Sequence, residues 1–266
     1  MNSESATEIT SLGADALAAL IRRRRLGAVE ALEAYLRRID AVNPALNAII
    51  HLDAERAMAR AQTLDARCRP LGPLHGIPMT LKDAHRVRGM PTRVGDPEAP
   101  TTTARTDGAV AARLRAAGAV LIGKTNVSRN LADFGAQNPI HGRTAHPADP
   151  SRTPGGSSGG AAAALAAYLT PLEVGSDLAG SIRIPAAFCG IVGLKPSMGL
   201  VPVAGHVSDP VRHPRGGGSN VLTSVGPMAR TLDDLDLLLR VLTGRSSRTH
   251  RRTDEGSLTF IEPFEA

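Results

Sequence analysis

From residue 71 onward, short unbroken apolar runs alternate with segments of helical spacing, and that rhythm confines the chain to an α/β fold whose sheet is covered on both faces. Residues 77–81, 119–122 and 171–175 are the apolar runs and read as buried strands. Residues 107–117, 126–134 and 161–168 lie between them and read as helices. Upstream, 12–23 and 29–39 space their apolar residues helically, with Asn43-Pro44 closing the second. Residues 47–52 read as a strand, and the Ala-rich stretch 53–67 as a helix ended by Arg69-Pro70. Near the far end, Thr231 with Asp234 marks the start of a helix over 232–242, and Gly244 is placed to end it.

No repeat or long linker interrupts this pattern, so residues 1–244 are expected to form one core and residues 245–266 an irregular polar tail. A chain of 266 residues is long enough to bury a substantial core without staples. Its two cysteines, Cys68 and Cys189, read as reduced thiols. The polar, acidic start lacks the pattern of a signal peptide, and no apolar window is long enough to span a bilayer. A cytoplasmic protein without a membrane partner is the expectation.

The formal charge is +6, concentrated in arginine clusters at 22–25 and at Arg245, Arg248, Arg251 and Arg252. No aromatic residues interleave with them and no zinc-finger spacing is present, so nucleic acid is not the expected ligand. Lysine occurs only at positions 82, 124 and 195, so each lysine calls for a reason.

Two motif matches fail on context. Gly118 to Thr125 has P-loop spacing, but a helix precedes its first glycine and 119–122 is itself a strand. Gly155-Gly-Ser157-Ser-Gly159 fits a nucleophile elbow, yet His206, His213 and His250 sit in no recognisable acid-histidine constellation.

Three segments carry a stronger signal: Gly76-Ile-Pro-Met-Thr-Leu-Lys82-Asp83, Pro154-Gly-Gly-Ser157-Ser158-Gly-Gly160, and Gly175-Ser-Asp177-Leu-Ala-Gly-Ser181-Ile-Arg183-Ile-Pro185. Together with Gly123-Lys-Thr-Asn126, Asn138-Pro139, Gly193-Leu-Lys-Pro196 and Gly226-Pro-Met-Ala-Arg230, this ordered set resembles the amidase signature family over roughly residues 12–244. The resemblance implies an α/β amidase signature fold, a mixed central sheet covered by helices on both faces, here shortened. It also implies amide hydrolysis by a Ser-cisSer-Lys triad: Ser181 as nucleophile, Ser157 after a cis peptide bond as proton relay, and Lys82 as base. Backbone N–H groups of Leu178, Ala179 and Gly180 match the family's oxyanion hole. Asp177, Arg183 and Ser158 match supporting positions.

This chemistry calls for no cofactor and no metal, and its expected partner is a small-molecule amide. A homo-oligomer, or a C-terminal portion that family members carry beyond the Gly226–Arg230 motif, are the further partners expected. The chemistry also needs a dry site, because burial favours the neutral form of a lysine whose free pKa is about 10.4. Ala179 stands where the family has glycine, and a positive φ there would cost about 1 kcal/mol or more. Two alternatives share the motifs: the glutamine-hydrolysing subunit of a tRNA-dependent amidotransferase, and a shortened non-catalytic member acting as a binding module.

Overall fold

A computed structural model describes residues 3–207 and 222–244. The tail at 245–266, with its arginines and His250, lies outside the described residues, as does His213.

Three helices open the chain: α1 (Ser3–Ser11), α2 (Ala14–Arg22) and α3 (Ala28–Leu46). The spacing of α2 puts Ala14, Leu17, Ala18 and Ile21 on one buried face. At the start of α3, the N–H groups of Ala28 and Val29 are accepted by the Asp65 carboxylate at 2.7 and 3.0 Å. The helix does not close at Pro44; it runs through and ends at Asn47, whose left-handed φ of 54° stops it. Proline removes only one helical hydrogen bond, and this one lies in the last turn.

The remaining elements are β1 (Ile49–Leu52), α4 (Ala54–Asp65), β2 (Pro78–Lys82), α5 (Ala109–Ala116), β3 (Val120–Thr125), β4 (Gln137–Asn138), β5 (Gly142–Arg143), α6 (Gly159–Ala166), β6 (Leu172–Asp177), α7 (Arg183–Cys189), β7 (Val192–Gly193), β8 (Ser224–Ala229) and α8 (Leu232–Thr243). Strand order is β1-β3-β2 in one three-stranded ladder and β6-β8-β7 in a second, and β2 packs beside β6 to bring the two together. Only β2 and β3 are parallel; the other pairs are antiparallel, so the central sheet is mixed. Alternation along β3 shows the layering. Leu121 joins a core with Leu17, Ile21 and Leu238, while Val120 and Ile122 join another with Leu32, Ala57 and Ala163. Helices therefore cover both faces.

Residues 126–134 form no α-helix. They make a loop with one short 3-10 turn, Arg129–Leu131, because side-chain amides outcompete helical bonding there. Asn126 Nδ2 donates to Thr144 Oγ1 at 3.0 Å, and Asn138 Nδ2 donates to Asn126 Oδ1 at 2.7 Å and to the Val127 carbonyl at 2.8 Å. Asn130 and Leu131 take positive φ values of 54° and 59°, which no α-helix contains.

The glycines of the 151–160 loop have a packing reason. A Cβ on Gly160 would meet Asn126 N at 2.4 Å, and one on Gly156 would meet the Gly135 carbonyl oxygen at 1.7 Å. The Ala-rich α6 is buried from Gly159 through Leu165, so small side chains let it lie close against its neighbours.

Candidate active site

Strands β2 and β6 carry the polar groups of the site at their C-terminal ends. Every residue of β2 is buried, and Lys82 is its last. Its Nζ donates to Ser157 Oγ at 2.8 Å and to the Ser176 carbonyl at 3.2 Å. With 0% exposure, the ammonium form loses its hydration, and burial lowers the Lys82 pKa from 10.5 to about 7. The carboxylates of Asp177 and then Glu173 pull in the opposite direction.

Asp83, the next residue, serves another purpose. It accepts from Lys124 Nζ at 2.8 Å and from the N–H groups of Arg93 and Val94 at 3.2 and 2.9 Å. This buried pair fixes the loop after β2 and keeps Lys124 away from the serines. Lys195 donates to Ser224 Oγ at 3.1 Å. Each of the three lysines thus has a defined partner, and only Lys82 reaches a serine of the Gly/Ser loop.

The Gly156–Ser157 peptide bond is cis, and Ser157 is 1% exposed. Ser158 precedes the first turn of α6 without a capping side-chain bond, its N–H donates to the Ser181 carbonyl at 3.1 Å, and its hydroxyl donates to the Ser176 carbonyl at 3.4 Å. Lys82 and Ser158 therefore share one backbone acceptor. The Ser158–Ser181 bond holds the two serine loops side by side. No hydrogen bond joins Ser157 Oγ to Ser181 Oγ among the described residues. The Ser181 hydroxyl has no hydrogen-bond partner among the described residues.

Asp177 shapes the turn that carries Ser181. Its Oδ1 accepts from Gly180 N–H at 2.8 Å, and its Oδ2 from Ile182 N–H at 3.1 Å and Arg183 N–H at 3.3 Å. Arg183 closes the arrangement with a bidentate pair, Nε to Oδ2 and Nη2 to Oδ1, both at 3.0 Å. Burial pushes the Asp177 pKa up, but Arg183 and the turn N–H groups outweigh it, and the net direction is down.

The resemblance puts the Gly180 N–H in the oxyanion hole, and in the structure that group donates to Asp177 Oδ1 at 2.8 Å. Among the described residues nothing accepts from the N–H groups of Leu178, Ala179 or Ser181, so these three are the available donors. The positive φ of the turn falls on Gly180, at 130°, and not on Ala179. Ala179 is exposed and carries no left-handed strain.

Two cysteines flank this region differently. Cys68 is exposed after α4, whereas Cys189 contacts the Pro154 carbonyl at 3.5 Å and burial pushes its thiol up to about 12. Neither touches Lys82 or the serines. Among the described residues, no cluster of His, Cys, Asp and Glu could hold a metal ion, and no helix is long and apolar enough to cross a membrane.

Sequence reasoning missed two members of this neighbourhood. The Ser176 carbonyl is a backbone group and leaves no side-chain signal. Glu173 does leave one, an acidic residue inside the otherwise apolar run 171–175, and it is fully buried with Oε1 accepting from Thr125 Oγ1 at 2.8 Å.

A buried lysine on a serine beside a second serine in an acid-braced turn, all on a mixed α/β sheet, defines a serine-based hydrolase class. The chain belongs to the amidase family, the amidase-signature hydrolases: the family described as Amidase matches residues 30–264. It is 42% identical over 241 residues to a glutamyl-tRNA(Gln) amidotransferase subunit of Salinispora tropica, covering 90% of this chain and 47% of that protein. A crystal structure of an amidase superposes with a TM-score of 0.79 at 36% identity, covering 88% of this chain and 52% of that one. For a fatty acid amide hydrolase the TM-score is 0.80 at 31% identity, covering 88% of this chain and 41% of that one. The chain spans about half the length of the curated relatives it matches.

Proposed function

We propose that this chain cleaves a carboxamide through an acyl-enzyme on Ser181, with glutamine as the amide it takes. The observation that carries the reading is Lys82, buried out of water with its amine 2.8 Å from Ser157 Oγ. Neutral Lys82 accepts the Ser157 proton while Ser157 takes that of Ser181. Ser181 Oγ bonds the amide carbon, and the C–N bond breaks as the proton returns along the same route to the leaving amine. Water then attacks the ester and releases the acid. N–H groups of Leu178, Ala179 and Ser181 stabilise the negative oxygen of each tetrahedral stage.

Glutamine is favoured because the amidotransferase subunits resembled here are 40–42% identical to this chain, above the 31–36% of the amidase and hydrolase structures. A stand-alone amidase acting on small amides is the second reading. It is supported by the fit to those structures and by the run Asn138-Pro-Ile-His-Gly-Arg-Thr144.

Intact-mass analysis after exposure to a serine-directed phosphonyl fluoride tests the nucleophile. One adduct is expected on the wild-type chain and none on Ser181→Ala. An adduct that persists in the variant, or an ordered wild-type chain that takes none, counts against the reading, and the latter favours a binding module. Ammonia release from glutamine compared with propionamide and benzamide then separates the two substrate readings, as does its dependence on an added partner protein.

A further inference from the structure

We propose that Glu173 is a positioning residue for the proton on Lys82: its buried carboxylate, paired to no cation, supplies a negative charge that favours the protonated amine. This role rests on Lys82 acting as the proton acceptor proposed above.

The argument begins with where the carboxyl group lies. Glu173 is 0% exposed on β6, in the strand that also carries Ser176 and Asp177. Its Oε1 accepts from Thr125 Oγ1 and its Oε2 from Val174 N–H, both at 2.8 Å. Two donors aimed at two oxygens fit a carboxylate, which only accepts. Yet no ammonium or guanidinium lies within ion-pair distance among the described residues. β6 packs against β2, and the Thr125 hydroxyl that donates to Glu173 belongs to the residue paired with Lys82 across β2 and β3, so the buried amines beside this carboxylate are Lys82 on β2 and Lys124 on β3.

The neighbouring charges differ in how free they are to change. Lys124 is already neutralised by Asp83 at 2.8 Å. Asp177 exerts the larger pull on Lys82, but Arg183 and three turn N–H groups hold it ionised, so its influence is constant. Arg230 spends its donors on the carbonyls of Thr170, Thr10 and Leu12. Asp234 on α8 turns to the Asp15 N–H at 2.9 Å. His85, beyond β2, is kept neutral by burial and by His206 beside it. Neither α6 nor β8 has an ionisable side chain. Glu173 is left as the acid that no cation or turn holds ionised, and burial pushes its pKa up while it pushes that of Lys82 down. Ionised Glu173 holds the proton on Lys82, and protonated Glu173 lets it go.

The chain's three lysines make the test direct. Full-length protein carrying 13Cε-labelled lysine gives three signals, and the one lost in Lys82→Met identifies Lys82. In Glu173→Gln the Lys82 midpoint is expected to move down by about half a pH unit or more. Glutamine preserves both contacts, its oxygen accepting from Val174 and its NH2 donating to Thr125 Oγ1. An unmoved Lys82 midpoint overturns the proposal. Should Glu173→Gln fail to fold, Thr125→Val removes the hydroxyl that favours the carboxylate, and a smaller downward movement is expected; none overturns the proposal equally. The signal reports a proton and not turnover. A moved midpoint with an unlabelled Ser181 defeats the amide-cleaving reading alone, and a labelled Ser181 with an unmoved midpoint defeats the Glu173 role alone.

Discussion

Replacing Lys82 with methionine is expected to slow phosphonylation of Ser181 by about 10²–10⁴-fold, the usual contribution of a positioned base, while leaving the fold more stable. The two effects have one cause. In the unfolded chain Lys82 holds its proton up to about 10.5, and in the folded chain it releases it near 7. Between those values the unfolded state binds more protons, so stability rises with pH; below about 7 both states are charged and the penalty for burying the ammonium is present in full. At about 1.4 kcal/mol per pH unit the gap amounts to an order of 5 kcal/mol, before subtracting the contacts to Ser157 and the Ser176 carbonyl that methionine gives up. Urea midpoints at pH 6.5 and 9.5 check this. The wild-type midpoint should rise with pH and the Lys82→Met midpoint should change less. The labelling rate of the wild type should climb as pH passes about 7 and the amine becomes neutral. Equal slopes in the two proteins would mean that Lys82 titrates as a solvated amine.

Asp177→Ala is expected to cost about 3 kcal/mol or more, because three turn N–H groups lose their acceptor at about 1–3 kcal/mol for each one left buried and unsatisfied, and to abolish labelling. Asp177 accepts from three turn N–H groups and twice from Arg183, so its loss leaves the whole turn without a centre. Gly180 would have no partner for its N–H, and with a φ of 130° it has little else to hold it. Arg183 is half-exposed and can turn to water, so the damage concentrates on the turn. Asp177→Asn keeps the shape but offers Arg183 an amide, and it should fall between wild type and alanine in both denaturation midpoint and labelling. A denaturation midpoint for Asp177→Ala equal to wild type would show that the turn is held by other contacts.

The site was more legible in the sequence than its setting. Lys82, Ser157 and Ser181 stand in three Gly-rich segments whose glycines have packing reasons, and such segments tolerate few other residues. Which N–H groups stay free was not legible, because whether Gly180 or Ala179 faces Asp177 depends on the path of the turn. The strands 77–81 and 119–122 were readable because both faces are buried and the apolar run is continuous. β8 was not, because Gly226 and Pro227 break its apolar run; Gly226 is there because a Cβ would meet the Leu194 carbonyl oxygen at 2.0 Å. The helix expected at 126–134 failed for a local reason as well: Asn126 and Asn138 bond each other and the surrounding backbone, which no periodicity signals.

The unequal surroundings of the two thiols give the molecule a built-in attachment point. A maleimide fluorophore will find the exposed Cys68 and pass over Cys189, whose proton is held tightly beneath the loop at Pro154. A single dye can then be placed on each molecule without any engineered substitution.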